Sequence, residues 1–223
     1  VDSVMDYVGM ARFQTTDEVL AYIKECTSET PAGEWLVFRN FDPAVQDGLD
    51  KLTFAELDPI STDHPIVVLN ASGHLAYANS KAFDVSGVTK DVENPPGGEF
   101  DRDDDGNLTG FMKNNVAYMK VTSNYPGIVD AEPVEALIGL LDTWGAVGLT
   151  TVSELSLGAL SQTPADAQVM AAAAQTGRLK ARIRAYPFYT LGADAWDEAG
   201  VSQGDGNELV RIAGYKLVAD GSN

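Results

Sequence analysis

The second half of the chain alternates helical and strand-like segments, and this pattern restricts the available folds more than any other feature of the sequence. Residues 132–143 space apolar side chains at helical intervals, behind a proline that the first turn of a helix tolerates. A strand over 148–155, a helix over 165–176 and a strand over 181–189 follow, and 206–220 supplies a last strand. Strands that alternate with helices pair in parallel, so we predict β/α units.

The first 130 residues lack this alternation and mix helices with strands. Residues 15–25 open with a Thr/Asp cap and predict an amphipathic helix. An apolar strand over 65–69 is followed by Ser-Gly-His, and we predict a helix from about Ala76 to Val85. The sequence therefore divides into an α+β region, 1–130, and a β/α region, 131–223.

The stretch 211–222 predicts a short buried strand, with Leu217 among its apolar residues, that brings Lys216 and Asp220 to a loop closed by Gly221. A buried ammonium is costly, so a lysine in such a run needs an explanation. Lys216 can reach out of the strand end toward water or pair with Asp220. Alternatively, burial lowers the pKa of the amine and lets it condense with carbon dioxide to a carbamate that can bind metal. The residues alone leave both interpretations open.

The charge of the chain excludes several classes of partner. It has 33 Asp and Glu against 15 Lys and Arg, a formal net charge of −18, which argues against binding nucleic acid or an anionic membrane. No apolar run approaches the roughly 20 residues of a membrane span. No signal peptide is visible, so we predict a cytoplasmic protein that acts on a small molecule. Cys26 is the one cysteine and excludes an internal disulfide, while homo-oligomerisation stays open.

The acidic run DRDDDG at 101–106 contains the first half of a calcium-loop pattern. The twelfth position, where a glutamate should complete such a site, is Met112. Because prolines and glycines precede the run at 95–98 and Gly110 follows it, we predict an acidic β-hairpin and keep a calcium-binding module as an alternative.

Four ordered motifs carry a resemblance to a known family. They are PIVVLNASGHLAYANS at 65–80, PPGGEFDRDDDGNLTG at 95–110, GLTTVSE at 148–154 and YKLVADGS at 215–222. Together they resemble the amidohydrolase superfamily, in the branch of N-substituted formamide deformylases and uncharacterised metal-dependent hydrolases. The resemblance implies part of a TIM (β/α)8 barrel, about its strands two to four, with an α+β insertion.

The same resemblance implies a chemistry and a site. We expect a divalent metal, zinc by preference, as one or two ions that activate water against a carbon–nitrogen bond other than a peptide bond. A lysine at the end of the fourth barrel strand is often carboxylated in the superfamily and bridges the metals, which makes Lys216 the candidate catalytic residue and metal ligand. His74, Asn79 and Glu154 become candidates for lining the substrate pocket, and Asn79 can also cap or brace a helix. The remaining metal ligands are expected outside this chain.

Each candidate also has a plain structural interpretation, and the function has a non-catalytic alternative. His74 and Glu154 can be ordinary loop and surface residues, and His64 is predicted to be a surface or turn histidine. A complete barrel needs roughly 250 residues and the chain lacks an initiating methionine, so we expect an inactive fragment of a longer enzyme, whose missing N-terminus could have carried a signal. Some relatives are labelled regulators of exoenzyme production, which would make the chain a ligand-binding or regulatory domain.

Overall fold

The computed structural model describes residues 5–219, and its strands form two separate sheets. The fold is mixed α/β, as predicted. Contacts within the chain divide it into an N-terminal unit, which ends at Asp130, and a C-terminal unit, which begins at Ala131.

The N-terminal unit contains a six-stranded mixed sheet. Its strands are β1 (Asp6–Tyr7), β2 (Leu36–Phe41), β3 (Ile66–Asn70), β4 (Leu75–Ala78), β5 (Glu99–Arg102) and β6 (Leu108–Lys113). Their order is β1-β2-β3-β4-β6-β5; the first three are parallel, whereas β4, β6 and β5 pair antiparallel. The predicted acidic hairpin is confirmed as the β5–β6 pair.

Helices cover both faces of this sheet. They are α1 (Thr16–Glu29), α2 (Phe54–Leu57), α3 (Ser80–Val85), α4 (Asn115–Thr122) and α5 (Pro126–Val129). Phe38 of β2 packs in one core with α1, whereas its neighbour Val37 packs in the other core with α3 and α4. Successive strand residues point to opposite faces, so a strand that is covered on both sides carries consecutive apolar residues, as residues 36–38 of β2 and 66–69 of β3 do.

The predicted first helix is confirmed, and the reason is visible at its start. The Thr15 hydroxyl accepts a hydrogen bond from the backbone of Glu18, and the Glu18 carboxylate accepts one from the backbone of Thr15. This reciprocal cap satisfies amide groups that the first turn would otherwise leave unpaired. The helix buries Cys26, and this burial raises the pKa of its thiol.

The prediction of a helix from Ala76 is wrong for its first residues. A turn after β3 reverses the chain, so that β4 pairs antiparallel with β3 in the register Val67↔Ala78. The helix α3 begins only at Ser80. Pairing with the neighbouring strands buries Ala76 and Ala78 completely, and this tertiary gain overrides the local helical tendency of the sequence.

Asn79 joins the end of β4 to the start of α3 and ties both to the loop before β3. Its side-chain oxygen accepts hydrogen bonds from the backbone amides of Ile66 (2.9 Å) and Ala82 (3.0 Å). Its side-chain nitrogen donates to the carbonyl oxygens of Ser61 (2.9 Å) and His64 (2.8 Å). Because Asn79 is fully buried, these four bonds occupy the whole polar end of its side chain.

The sequence predicted a surface or turn histidine at position 64. His64 lies in a bend before β3, but its side chain is buried and is not at the surface. Its Nε2 lies 3.0 Å from the carbonyl oxygen of Thr30, to which it donates, and its Nδ1 lies 2.8 Å from the Ser61 hydroxyl. The imidazole therefore connects the end of α1 to the loop that Asn79 holds, and serves as a structural polar group.

The C-terminal unit contains a three-stranded parallel sheet in the order of the chain. Its strands are β7 (Thr151–Leu157), β8 (Arg182–Pro187) and β9 (Val210–Ile212), and its helices are α6 (Pro133–Ala146), α7 (Ala165–Gln175) and α8 (Ala193–Glu198). The predicted alternation of helices and strands is confirmed. Only the last predicted strand, over 206–220, is much shorter than expected. No helix between residues 5 and 219 is long and apolar enough to cross a membrane.

The three helices of this unit pack on one face of its sheet. Ile183 and Ala185 of β8 are buried there in a single core with residues of α6, α7 and α8. The fully buried Trp196 of α8 also donates from its indole nitrogen to the carbonyl oxygen of Phe188 at 3.3 Å. The opposite face of the sheet carries the polar and exposed residues of the same strands.

We predict that Gly110→Ala destabilises the N-terminal unit. Gly110 has φ +91°, and a Cβ atom there would overlap the carbonyl oxygen of Ala78 and lie 2.6 Å from the Phe54 ring. The backbone strain and the overlap together should cost about 3 kcal/mol or more. Urea unfolding followed by fluorescence measures the loss.

The matched control is Gly106→Ala, in the turn between β5 and β6. Gly106 has φ +83° but no atom within 4 Å of the added Cβ, so this variant should show only the backbone cost of about 1 kcal/mol. Equal losses in the two variants would contradict the close packing of β4, α2 and Gly110.

We also predict that Asn79→Ala destabilises the protein by about 2–4 kcal/mol, because it leaves buried backbone groups without partners. The control is Asn124→Ala, which removes a single exposed hydrogen bond to the carbonyl oxygen of Val85 and should cost less than about 1 kcal/mol. Chemical denaturation compares the two, and a similar small loss for both would show that the Asn79 network is not structural.

Candidate functional site

Lys216 follows β9 and lies beside the carboxyl end of β8. Its backbone amide donates to the carbonyl oxygen of Pro187 at 2.9 Å, and its carbonyl oxygen accepts from the amide of Tyr189 at 3.2 Å. These bonds make Lys216 the parallel bridge partner of Phe188. The side chain is half-buried, at the edge of the sheet where parallel strands end.

One extra residue between β9 and Lys216 decides which face of the sheet the lysine occupies. Ile212 pairs with Ala185, and Lys216 pairs with Phe188, so four residues on one strand run beside three on the other. Bridge partners lie on the same face, and Phe188 lies an odd number of residues after the helix-covered Ala185. The register therefore places Lys216 on the open face of the sheet, whereas an unbroken strand would place it under the helices.

The residues after Lys216 differ from the prediction of a buried strand. Leu217 is 75% exposed and Val218 is 40% exposed. The predicted partner Asp220 and the loop glycine Gly221 lie outside the described residues. Phe188 was not predicted as a neighbour of Lys216, although alternation along 182–188 places it on the same face as Tyr186.

Glu154 lies on the opposite face of the sheet from Lys216. It pairs in register with Ala185, whose side chain is fully buried under the helices. Glu154 lines a groove of about 420 Å³ together with apolar residues that include Leu137 and Met170, and its Oε1 accepts from the amide of Ser156 at 2.6 Å. The structure does not bring Glu154 and Lys216 into one site.

The other two predicted pocket residues belong to the N-terminal unit and stand at opposite ends of β4. His74 is exposed in the turn between β3 and β4, and its backbone amide donates to the Ser72 hydroxyl at 3.2 Å. Asn79, at the far end of the strand, is buried and fully hydrogen-bonded within the protein. This geometry favours the bracing role of Asn79 over contact with a substrate.

The described residues do not form a metal site by themselves. Between residues 5 and 219, no three His, Cys, Asp or Glu side chains are grouped closely enough to hold an ion. Among the described residues, Lys216 is the one for which the family resemblance predicts a role as metal ligand. A metal bound at Lys216 needs ligands from elsewhere.

In the acidic hairpin, the Asp103 side chain forms hydrogen bonds within the turn between β5 and β6. The Asp103 carboxylate accepts from the backbone amides of Asn107 (2.7 Å) and Asp105 (3.1 Å) and from the side-chain amide of Asn107 (3.1 Å). These hydrogen bonds, those from Asn107 above all, hold the pKa of the Asp103 carboxyl below its ordinary value. The Asp103 carboxylate thus stabilises the turn, and this role needs no bound ion.

Comparison with known proteins supports the family suggested by the motifs. The sequence profile of the Amidohydrolase family matches residues 8–223. N-substituted formamide deformylase of Arthrobacter pascens is 31% identical over 150 residues, which cover 66% of the chain and 28% of that protein. Exoenzymes regulatory protein AepA of Pectobacterium carotovorum subsp. carotovorum is 28% identical over 229 residues, which cover 97% of the chain and 47% of that protein. The chain spans less than half the length of these relatives.

The fold is also found among solved structures. An uncharacterized metal-dependent hydrolase from Pyrococcus horikoshii ot3 matches with a TM-score of 0.58 and 20% sequence identity, over 99% of the chain and 40% of that protein. At this identity the likeness concerns the fold. The family profile matches almost the whole length of the sequence and includes residues of both units. The chain belongs to the Amidohydrolase family.

Proposed function

We propose that this chain is part of a longer metal-dependent hydrolase that cleaves a carbon–nitrogen bond other than a peptide bond in a small molecule. Family membership and the similarity to N-substituted formamide deformylase support a hydrolase of this kind. The fold likeness to a metal-dependent hydrolase supports a divalent metal, for which we propose zinc, as one or two ions.

The observation that carries the proposal is the position of Lys216. It stands at the carboxyl end of parallel strands, on the face that the helices leave open. Active sites of β/α barrels are built at the carboxyl ends of the strands. We therefore propose that β7, β8 and β9 are about strands two to four of a TIM barrel and that the N-terminal unit is an insertion after strand one.

We propose further that Lys216 is carboxylated and acts as a metal ligand. A carbamate converts a cationic side chain into an anionic oxygen ligand, which suits a divalent ion. When bound, such an ion would lower the pKa of a water molecule and so supply the chemistry of hydrolysis. The remaining ligands would come from parts of the longer protein beyond the described residues.

We predict that Lys216→Ala removes bound metal from the longer protein and lowers its hydrolysis of N-substituted formamides and amides by at least about 100-fold, which corresponds to about 2.7 kcal/mol. Elemental analysis, intact mass and initial rates measure the effect. A short carboxylic acid added to the variant should restore part of the activity, because its carboxylate can replace the lost ligand.

The control is Lys180→Ala, which removes an exposed lysine of the same unit and should leave both metal content and rate unchanged. Metal that is retained in full by Lys216→Ala would reject the ligand role. A protein without metal and without hydrolysis would favour a regulatory role, for which the similarity to AepA over 97% of the chain is the supporting observation.

A second prediction concerns His74 and Glu154, the two substrate candidates that are not fully buried. We expect His74→Gln to raise KM, because an exposed histidine in a turn can contact a ligand. We expect Glu154→Gln to leave kcat/KM within about twofold, because Glu154 lies across the sheet from Lys216. A large loss in Glu154→Gln with an unchanged melting temperature would show that the groove of Glu154 belongs to the substrate site.

A further inference from the structure

The open face of the C-terminal sheet carries a concentration of positive charge. Arg182 and Arg184 of β8 alternate with buried residues and so lie on the face away from the helices. Arg211 of β9, between two buried residues, lies on the same face. Opposite them on β7 stand Thr151 and Ser153, which are uncharged. In a chain with 33 acids and 15 Lys and Arg, three arginines on one small face need a physical reason.

The arginines are close to one another. Arg184 and Arg211 are partners in the parallel register of β8 and β9, and Arg182 is two residues from Arg184 on the same face. Like charges on neighbouring strands destabilise a sheet. The arrangement therefore costs free energy unless negative charge compensates it.

The described part of the chain does not supply that negative charge. Its ion pairs are Lys51–Asp101, Lys113–Glu99 and Arg178–Glu135, so none of the three sheet arginines has a carboxylate partner between residues 5 and 219. The guanidinium of Arg184 donates to the backbone carbonyl oxygens of Ile183 (3.0 Å) and Glu208 (3.4 Å), which are neutral acceptors. These neutral acceptors do not offset its charge.

A parallel sheet is normally covered on both faces, and here the helices cover one. We propose that the arginine face, defined as Arg182, Arg184 and Arg211, is covered by acidic side chains on the remaining barrel strands of the longer protein. We propose acidic side chains because of charge complementarity. A layer of carboxylates on facing strands would pair with guanidinium groups that already lie side by side. This inference rests on the proposed function, because it takes the closed barrel from it.

The arginine face also has a defined place relative to Lys216. Arg184 lies in the first half of β8, whereas Phe188, the bridge partner of Lys216, follows the end of that strand. The two rows of side chains therefore occupy different levels of the same face. The acidic layer lies below the site and holds the strands together, and it is separate from the metal ligands.

The test compares Arg184→Met with Arg178→Met in the longer protein, by the midpoint of thermal unfolding. If carboxylates cover Arg184, its removal leaves a buried unpaired acid and should lower the midpoint by about 5 °C or more. If the face is open to water, removal of one crowded charge should leave the midpoint unchanged or raise it. Only a covered face predicts a lower midpoint.

Arg178→Met is the matched control, since Arg178 forms a surface pair with Glu135 in which both side chains are more than half exposed, at 54% and 57%. It should shift the midpoint by about 2 °C or less. Arg211→Met should behave as Arg184→Met does. If Arg184→Met yields no folded protein, Arg184→Lys keeps the charge and should give a folded protein with an intermediate loss.

An unchanged or higher midpoint in both Arg184→Met and Arg211→Met would overturn the inference. So would inorganic phosphate that stabilises the wild-type protein and not Arg184→Met, because the occupant would then be a free anion. Failure of the proposed function can be told apart from failure of this inference. If only the proposed function fails, the protein binds no metal and hydrolyses no substrate, but its arginine variants still lose stability.

Discussion

The C-terminal unit depends on the pairing of β8 with both of its neighbours. β8 is the central strand, and its buried residues Ile183 and Ala185 form the contact between the sheet and the helices. The same strand sets the position of Lys216, because Phe188 is the residue to which the lysine is paired. A slip of one residue between these strands would turn every side chain of β9 to the other face. The position of the candidate ligand is thus a consequence of strand register.

The two units differ in how many faces of their sheets are covered by helices. In the N-terminal unit, helices pack on both faces, and the polar groups at the strand ends are satisfied internally by Asn79 and His64. In the C-terminal unit, helices pack on one face and charged side chains occupy the other. The first sheet is therefore complete by itself. The second sheet is covered by helices on one face only, as expected for strands that form part of a larger barrel. The proposed function relies on this difference.

The candidate site was predictable from the sequence only in part. Lys216 was found because a lysine in an apolar run is costly and because the surrounding motif resembles a family. Its face could not be predicted, since the extra residue before it becomes visible only when β8 and β9 are paired. For Asn79 the local capping pattern was readable, but its bonds to Ser61 and His64 join residues that are distant along the chain. Glu154 was placed correctly in a strand, yet its face follows from pairing with Ala185.

By itself, the sequence determined the helices with strong caps, the apolar strands, the β/α alternation after residue 131 and membership of the family. These features depend on neighbours in the chain, whose spacing and capping chemistry are local. Only the tertiary structure decided that Ala76 lies in a strand, that His64 is buried, and that Lys216 and Glu154 lie on opposite faces of one sheet. Each of these outcomes depends on pairing or packing between distant segments, where burial and hydrogen bonding outweigh local preference.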